Sequence, residues 1–156
     1  MNKEGKHEKT YEHDRNKQPI FTYVHSITNT TNGTIFVADK LSNDDRGRVV
    51  VLGQEGDVIN TYTGHPKINS DYKPFKPRHV VTTPLDNIIV TEVDTHILHI
   101  LNSVVQLITY YNTEDIGIQY PYCLSFTNTG QLYIGCTRAK GSTENAKLYK
   151  VGISQI

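Results

Sequence analysis

The sequence predicts an all-β fold, a partial β-propeller of about three four-stranded blades, on three observations. An apolar strand, a turn and a second, denser apolar strand recur three times, with the second strands at Ile35, Ile88 and Leu132. The spacing between these copies, 53 and 44 residues, is typical of a propeller blade. Ten tyrosines, no tryptophan and one methionine suit β-structure better than a helical bundle. No segment shows helical periodicity.

Each copy is expected to run strand A, turn, strand B, variable loop, strand C, turn and strand D. The B strands are continuous apolar runs (IFV, IIV and LYI) because neighbouring blades cover both faces of a blade. Turns built on Asn32-Gly33, Asp86-Asn87 and Thr129-Gly130 are predicted between strands A and B. The blades are predicted at about residues 25–64, 77–113 and 121–153.

One turn between strands C and D departs from this pattern. The first copy has Gly56 in this turn, between Glu55 and Asp57, whereas the second copy has Val105 at the glycine position. A β-branched residue disfavours positive φ. The turn at Val105 is therefore expected to adopt another geometry or to carry strain.

The two ends of the chain indicate an incomplete ring. Residues 1–8 are polar and lack core residues, so they are expected to be disordered. Residues 9–14 (KTYEHD) resemble the D strand at 108–113 (ITYYNT), whereas the third copy stops after its C strand. A first strand that completes the last blade closes a propeller, but three blades are fewer than the usual minimum of about four. We expect an open arc, either cut from a longer propeller or completed by another chain, whose uncovered blade faces favour self-association.

Cys123 and Cys136 are the only cysteines, which excludes a disulfide framework. If Thr129-Gly130 is a two-residue turn, the two cysteines face each other on paired strands, where they could oxidise. Two buried, reduced thiols are the more ordinary expectation. The lack of a secretion signal favours a reducing setting, and a cytoplasmic location is predicted.

The composition and the aligned copies argue against several functional classes. Sixteen basic and sixteen acidic residues give a formal net charge of zero, so no attraction to DNA is expected. No apolar run approaches the roughly 18 residues of a membrane span. Equivalent positions of the copies do not repeat a ligand type, so neither a metal nor a cofactor is predicted. The positions compared are His25, Arg78 and Tyr122; Ser26, His79 and Cys123; and Asp39, Glu92 and Cys136.

No histidine has the sequence context of a catalytic residue. His65, His96 and His99 lack an evident carboxylate partner, and His99 lies in an apolar strand, where a core histidine with satisfied hydrogen bonds is expected. The chain is therefore predicted not to be an enzyme. The alternative is a remnant of a propeller hydrolase or lyase.

The long loops are expected to carry any binding site, because loops on a rigid frame are the usual carriers of function. The B–C and D–A loops of a propeller lie at the same end; here they are residues 40–47, 65–79, 93–95, 114–122 and 139–146. Arginine and tyrosine among mixed charges suit a protein partner. The predicted partner-binding residues are Arg46, Tyr72, Lys73, Phe75, Lys76, Arg78, Tyr120, Tyr122, Arg138 and Lys140.

Several segments resemble a known repeat. NGTIFVAD and RGRVVVLGQEGDVINTY resemble the NHL repeat, in which a glycine turn precedes an apolar strand that ends in Asp. PFKPRHVVTTPLDNIIVT and QLITYYNTEDIGIQYPYCLSFTNTGQLYIGC are similar to the C-terminal propeller of tripartite-motif (TRIM) proteins as expanded in molluscs. The similarity covers residues 10 to 153. It implies an NHL-type propeller segment of a TRIM-NHL protein.

This resemblance implies recognition and not catalysis. Full-length TRIM-NHL proteins are RING-type ubiquitin ligases with B-box zinc modules, and two cysteines cannot supply those zinc sites. A protein-interaction platform, resembling the substrate- or partner-recognition propeller of these ligases, is therefore the predicted function. Some TRIM-NHL propellers bind RNA through a basic face, so an RNA-binding propeller is the alternative. Its candidate residues are Lys73, Lys76 and Arg78, with Tyr72 and Phe75 interleaved.

Overall fold

The computed structural model describes residues 5–153 and 156, which form three antiparallel sheets. Blade 1 contains β1 (Tyr23–Asn29), β2 (Ile35–Lys40), β3 (Gly47–Leu52) and β4 (Val58–Tyr62). Blade 2 contains β5 (Pro77–Thr82), β6 (Ile88–Glu92), β7 (Ile97–Leu101) and β8 (Leu107–Asn112), followed by a 3₁₀ turn, Thr113–Ile116. Blade 3 contains β9 (Pro121–Phe126), β10 (Gln131–Cys136) and β11 (Lys147–Gly152). The strands of each sheet are paired in chain order, and the fold is a partial β-propeller, as predicted.

The blades pack face to face through two apolar clusters. The cluster between blades 1 and 2 contains Phe36, Ala38, Val49, Val51, Val80, Ile88, Val90 and Leu101. The cluster between blades 2 and 3 contains Ile89, Leu98, Ile100, Leu124, Leu132 and Ile134. Strands β6 and β7 therefore bury alternate residues against different neighbours, which explains why their sequences are continuous apolar runs.

The A–B and C–D turns share one geometry. Each turn encloses three residues; in the first, the Thr30 amide donates to the Thr34 carbonyl and the Gly33 amide to the Thr30 carbonyl. The two-residue turn considered at Thr129-Gly130 is wrong, because a left-handed residue occupies a third loop position there as in the other turns. These residues are Gly33, Gly56, Asp86, Val105 and Gly130, with φ of 86°, 87°, 61°, 68° and 83°.

Val105 thus keeps the geometry of its glycine counterpart. Its φ of 68° is strained for a β-branched residue, which is one of the two outcomes expected from the sequence. The Val105 side chain packs against the cluster between blades 1 and 2, so packing offsets part of the backbone strain.

The three-residue turn also changes the register around the cysteines. β9 and β10 pair Cys123 with Gly135, and Cys136 with Pro121, so the predicted facing pair is wrong. Both thiols are free, and only Cys136 is buried. Burial, and secondarily the neighbouring Cys123, raises the pKa of the Cys136 thiol. The exposed Cys123 is therefore the more accessible thiol.

The N-terminal segment does not form the predicted extra strand. Residues 1–4, half of the tail predicted to be disordered, lie outside the described residues, and residues 5–8 are exposed. Residues 9–14 contain a single isolated bridge, between His13 and Pro19, in place of a strand. The segment does not reach β11, because blades 1 and 3 pack on opposite sides of blade 2.

The segment instead contacts blade 1. The Lys9 ammonium donates to the Glu55 carbonyl at 2.7 Å, and the ring of Tyr11 lies against Gly56. Tyr11 also packs on a small apolar cluster on the outer face of blade 1, formed by Ile20, Val50 and Leu52.

Candidate binding site

Strands β1, β5 and β9 bring three side chains together at one end of the arc. Arg78 lies between His25 and Tyr122: its Nη1 donates to His25 Nδ1 at 2.9 Å, and its Nη2 donates to the Tyr122 hydroxyl. The guanidinium carbon also lies 4.4 Å from the centroid of the Tyr122 ring, a cation–π contact. We call His25, Arg78 and Tyr122 the central cluster.

A cavity of about 320 Å³ opens beside the central cluster. Asp45 from the B–C loop of blade 1 and Asp94 from the B–C loop of blade 2 line this cavity. Lys76, from the D–A loop between the two blades, lines it as well. The two kinds of long loop therefore meet at the same end of the arc, beside Arg78.

The electrostatic environment keeps His25 neutral near pH 7. Burial lowers the pKa of His25 most, and the positive charges of Arg78 and Lys40 lower it further. A neutral imidazole has a nitrogen lone pair that can accept a hydrogen bond from the Arg78 guanidinium. Among residues 5–153 and 156, no carboxylate forms an ion pair with Arg78. The guanidinium is thus positioned by neutral groups and keeps its charge for an incoming acceptor.

Asp39, at the end of β2, holds the chain that enters β1. Its carboxylate is fully buried. Oδ1 accepts hydrogen bonds from the backbone amides of Thr22 and Tyr23, both at 2.8 Å, and Oδ2 accepts from Arg48 Nε at 3.1 Å. The carboxylate therefore positions the backbone two residues before the central cluster begins.

Glu92, at the end of β6, holds the loop that enters β5. Oε2 accepts from the Lys76 amide at 3.2 Å, and Oε1 accepts from Asn69 Nδ2 at 2.9 Å. Oε1 also accepts from His99 Nε2 at 2.6 Å, while His99 Nδ1 accepts from the Tyr62 hydroxyl at 2.8 Å. Burial, with the charge of Glu92, raises the pKa of Tyr62, which keeps the hydroxyl protonated as a donor.

These contacts give a role to two carboxylates that the sequence left without one. The sequence compared Asp39 and Glu92 with Cys136 without predicting a metal site, and both carboxylates hold loops in the structure. His99 is a fully buried histidine with both ring nitrogens bonded, as expected, yet its partner Glu92 was missed. The sequence feature that could have indicated this loop-holding role is an Asp or Glu at the end of two successive B strands.

His96 also has a carboxylate partner that the sequence did not reveal. Its Nε2 lies 3.6 Å from Glu114 Oε1, and its Nδ1 accepts from the Tyr120 amide at 2.9 Å. The rings of His96 and Tyr120 are in edge contact, with centroids 4.6 Å apart. This group supports the D–A loop between blades 2 and 3.

One predicted partner-binding residue is wrong, because it is part of the core. Phe75 is 3% exposed, and its ring packs edge-on against Tyr62 and His99, with centroids 5.2 Å and 5.1 Å away. Phe75 comes two residues before β5, where the D–A loop turns inward between blades 1 and 2. A sequence window cannot separate such a wedge residue from an exposed aromatic; the nearby Tyr72 is 97% exposed.

The other predicted residues divide into three groups. Lys76, Arg78 and Tyr122 line the central cavity. Tyr120 and Arg138 line a second cavity of about 250 Å³ between the D–A loop and the B–C loop of blade 3. The residues that line neither cavity, all of them exposed, are Arg46, Tyr72, Lys73 and Lys140.

Lowering the pH is expected to destabilise the chain, in part through His79. His79 Nδ1 accepts from the Leu124 amide at 2.7 Å across the contact between blades 2 and 3. Burial, and secondarily Arg78, lowers the pKa of His79. The unfolded chain takes up this proton near pH 6.5, its ordinary value, and the folded chain only at lower pH. The contribution to stability is therefore complete above about pH 6.5 and is lost as the pH falls toward the folded pKa.

Urea unfolding at a series of pH values between about 7.5 and 5.5 measures this loss. His79→Gln keeps an acceptor oxygen but does not titrate, so its free energy of unfolding is expected to fall less steeply with decreasing pH. The exposed His7 serves as the control, and His7→Gln is expected to keep the wild-type slope. Equal slopes for wild type and His79→Gln contradict the prediction.

Two general features of the described residues bear on the kind of site. Within residues 5–153 and 156, no group of three or more His, Cys, Asp or Glu side chains could hold a metal ion. No helix in this part of the chain is long and apolar enough to cross a membrane. The side chains at the centre of the candidate site are those of Arg78, Tyr122 and His25.

Comparisons with known proteins show the fold. No family model and no curated protein matches this sequence. Virginiamycin B lyase from Staphylococcus aureus is similar in structure, with 12% identity, a TM-score of 0.54, and coverage of 86% of this chain and 42% of the lyase. A catalytically inactive variant of that lyase with quinupristin has 14% identity, a TM-score of 0.56, and coverage of 86% and 43%.

A protein of unknown function from Bacteroides caccae is also similar, with 15% identity and a TM-score of 0.51. The match covers 87% of this chain and 48% of that protein. The chain thus spans less than half the length of each of these structures. At such low identity the similarity shows the β-propeller fold alone.

Proposed function

We propose that this chain is a binding platform that recognises a protein partner through its long-loop end, with Arg78 at the centre of the contact. The environment of Arg78 carries the proposal. Its guanidinium is half-buried, stacks on Tyr122 and lies beside a cavity of about 320 Å³. Within the described part of the chain it has no ion-pair partner. Arginine and tyrosine are enriched among interface hot spots, the few residues that contribute most of the binding energy.

The surroundings of the central cluster favour a polypeptide over RNA. Asp45 and Asp94 line the same cavity as Arg78, and these carboxylates oppose contacts with phosphates. Tyr72, which is 97% exposed, adds aromatic surface on the loop between blades 1 and 2. Mixed charges around arginine and tyrosine are typical of protein interfaces.

The resemblance to NHL repeats supports the same role. The Asp that ends the apolar strand in the NHL pattern is Asp39 here, and its buried carboxylate holds the chain entering β1. We propose that the chain is an NHL-type propeller segment and that it shares the partner-recognition role of TRIM-NHL propellers. Ligase activity requires zinc modules and is not attributed to these residues.

Two of the similar structures are of a lyase, so catalysis is the alternative to be tested. The shortest histidine–carboxylate contact described, between His99 and Glu92, is buried away from solvent. The Arg78, His25 and Tyr122 side chains by contrast border an open cavity, where they suit binding. We therefore assign recognition, and not turnover, to this end of the arc.

Replacing Arg78 with alanine is expected to weaken partner binding by about thirtyfold or more, the effect of losing a ~2 kcal/mol hot spot. The full chain serves as bait in extracts of cells that express it, and captured proteins are identified by mass spectrometry. The affinity of the main partner is then measured for wild type, Arg78→Ala and the control Arg15→Ala. Arg15 is exposed in the N-terminal segment, and its replacement is expected to leave the affinity unchanged.

Three outcomes contradict the proposal. Unchanged affinity in a normally folded Arg78→Ala variant removes Arg78 from the centre of the contact. Binding to labelled single-stranded RNA that weakens by orders of magnitude between about 50 and 200 mM salt supports the RNA alternative. Conversion of quinupristin by the purified chain supports the lyase alternative.

A further inference from the structure

Blade 3 has an open edge where the other blades have a fourth strand. β3 pairs with β4 and β7 pairs with β8, whereas no strand of the described residues pairs with the outer edge of β11. A groove of about 660 Å³ runs beside this edge, between β8 and β11. Its apolar walls include Leu98, Ile116, Ile134 and Val151. An unpaired strand edge beside an apolar groove is a template for an added strand.

Blade 1 is built to receive a preceding blade. Phe75 lies just before β5 and is buried between blades 1 and 2, and Ile118 lies just before β9 and is buried between blades 2 and 3. Ile20 holds the equivalent place before β1 and is 5% exposed. Its cluster, however, contains residues of blade 1 and the N-terminal segment only, so one side of this wedge has no blade against it.

Residues 9–14 have the position of the missing strand in the repeat. Eight residues, 15–22, separate this segment from β1, and seven residues, 114–120, separate its counterpart, residues 108–113, from β9. The segment therefore stands where the fourth strand of a preceding blade belongs. At present its Lys9 and Tyr11 contact the C–D turn of blade 1, Tyr11 also packs on the cluster of Ile20, Val50 and Leu52, and the Glu12 carbonyl accepts from the Ile20 amide, so these contacts must be exchanged.

We propose that two copies of this chain complete each other: residues 9–14 of one copy pair as the fourth strand with β11 of the other. Blade 3 of each copy then packs against blade 1 of its partner, and two arcs of three blades form one ring of six. The exchange is symmetric, so both open edges are covered in a dimer.

The pairing in blade 2 predicts the register of the added strand. Val90 pairs with His99, which pairs with Tyr110; in blade 3 Ile134 pairs with Tyr149. Because KTYEHD aligns with ITYYNT, Tyr11 of the second copy is placed opposite Tyr149. Tyr149 already packs against the cluster between blades 2 and 3, so Tyr11 points into the groove.

Charge complementarity supports this occupant. In the same register, Glu12 is placed opposite Leu148 and diagonal to Lys150, within reach on the same face of the sheet. Lys147 and Lys150 are exposed on β11, while the incoming segment carries two carboxylates, Glu12 and Asp14, against one lysine, Lys9. Lysines on an edge strand discourage unspecific pairing but accept an acidic strand.

The mass of the full chain in solution, measured by sedimentation over a wide concentration range, tests the proposal. A reversible dimer is expected. Glu12→Lys and Lys150→Glu are each expected to weaken the dimer by about tenfold or more, since each places like charges together. An equimolar mixture of the two variants is expected to restore wild-type association, because both strand contacts of the mixed dimer then join opposite charges.

The control variant is Lys67→Glu, an exposed charge on the loop between blades 1 and 2, which is expected to leave association unchanged. Amide hydrogen exchange on wild type supplies a second measurement, in which the β11 amides are expected to slow as the dimer forms. A chain that is monomeric at all concentrations overturns the proposal. A dimer that neither charge reversal weakens also overturns it. An equimolar mixture of the two variants that does not regain wild-type association overturns it as well.

Discussion

Replacement of Asp39 by alanine is expected to lower the free energy of unfolding by about 3–5 kcal/mol. The carboxylate is fully buried, and the substitution leaves the Thr22 and Tyr23 amides and the Arg48 guanidinium without their acceptor. Three hydrogen bonds to a charged acceptor are lost together, which costs more than losing one average hydrogen bond, and Arg48, whose side chain is 27% exposed, loses its counter-ion. Urea unfolding followed by circular dichroism measures the change.

Asp39→Asn separates the two contributions to this loss. The asparagine oxygen can still accept from the two amides but cannot neutralise Arg48, so a smaller loss is expected than for alanine. Asp71→Ala, at an exposed loop position, is the matched control and is expected to change stability by less than about 0.5 kcal/mol. A loss below about 1 kcal/mol for Asp39→Ala would show that the carboxylate does not hold the loop.

Replacement of Glu92 by alanine is expected to have a similar effect, about 3–5 kcal/mol. The substitution removes the acceptor for His99, Asn69 and the Lys76 amide at once. Since Lys76 precedes Arg78 by two residues, the loop that enters β5 is expected to loosen as well. Partner binding is therefore expected to weaken in Glu92→Ala even under conditions in which the chain is folded.

His99→Phe is the informative companion variant. It keeps an aromatic ring against Phe75 but leaves the Tyr62 hydroxyl and Glu92 without their shared partner. We expect a loss of stability and little change in partner binding at temperatures well below the unfolding transition, because Glu92 still accepts from the Lys76 amide. Glu144→Ala, on the exposed loop before β11, is the control. Equal stability of Glu92→Ala and this control contradicts the prediction.

The third blade lacks the carboxylate that anchors the other two. Cys136 ends β10 at the position held by Asp39 in β2 and Glu92 in β6, and its thiol cannot replace a charged acceptor. The sequence showed that these three positions are equivalent but not what the carboxylates do. Each carboxylate accepts from backbone amides of the chain that enters its blade, which any residue can supply, and from side chains of that loop or of the third strand.

Much of the fold could be predicted from the sequence. The apolar run around Ile88 predicted a strand covered on both faces, and the two blade-on-blade clusters confirm this, whereas the strand around Leu132 is covered by another blade on one face only. The candidate site was predicted only in part. Arg78 and Tyr122 were named but not their contact, and Phe75 was assigned to the surface although it lies in the core.

The sequence by itself determined the all-β blade repeat, because strand patterning and turn residues act over a few neighbouring positions. Only the tertiary structure decided turn length, since a residue with positive φ, marked in the sequence by glycine or its counterpart Val105, fits turns of two and of three residues alike. It also decided which side chains meet. Arg78 contacts His25 from 53 positions away and Tyr122 from 44 positions away. Such contacts depend on the register of each sheet and the stacking of blades, which local sequence does not encode.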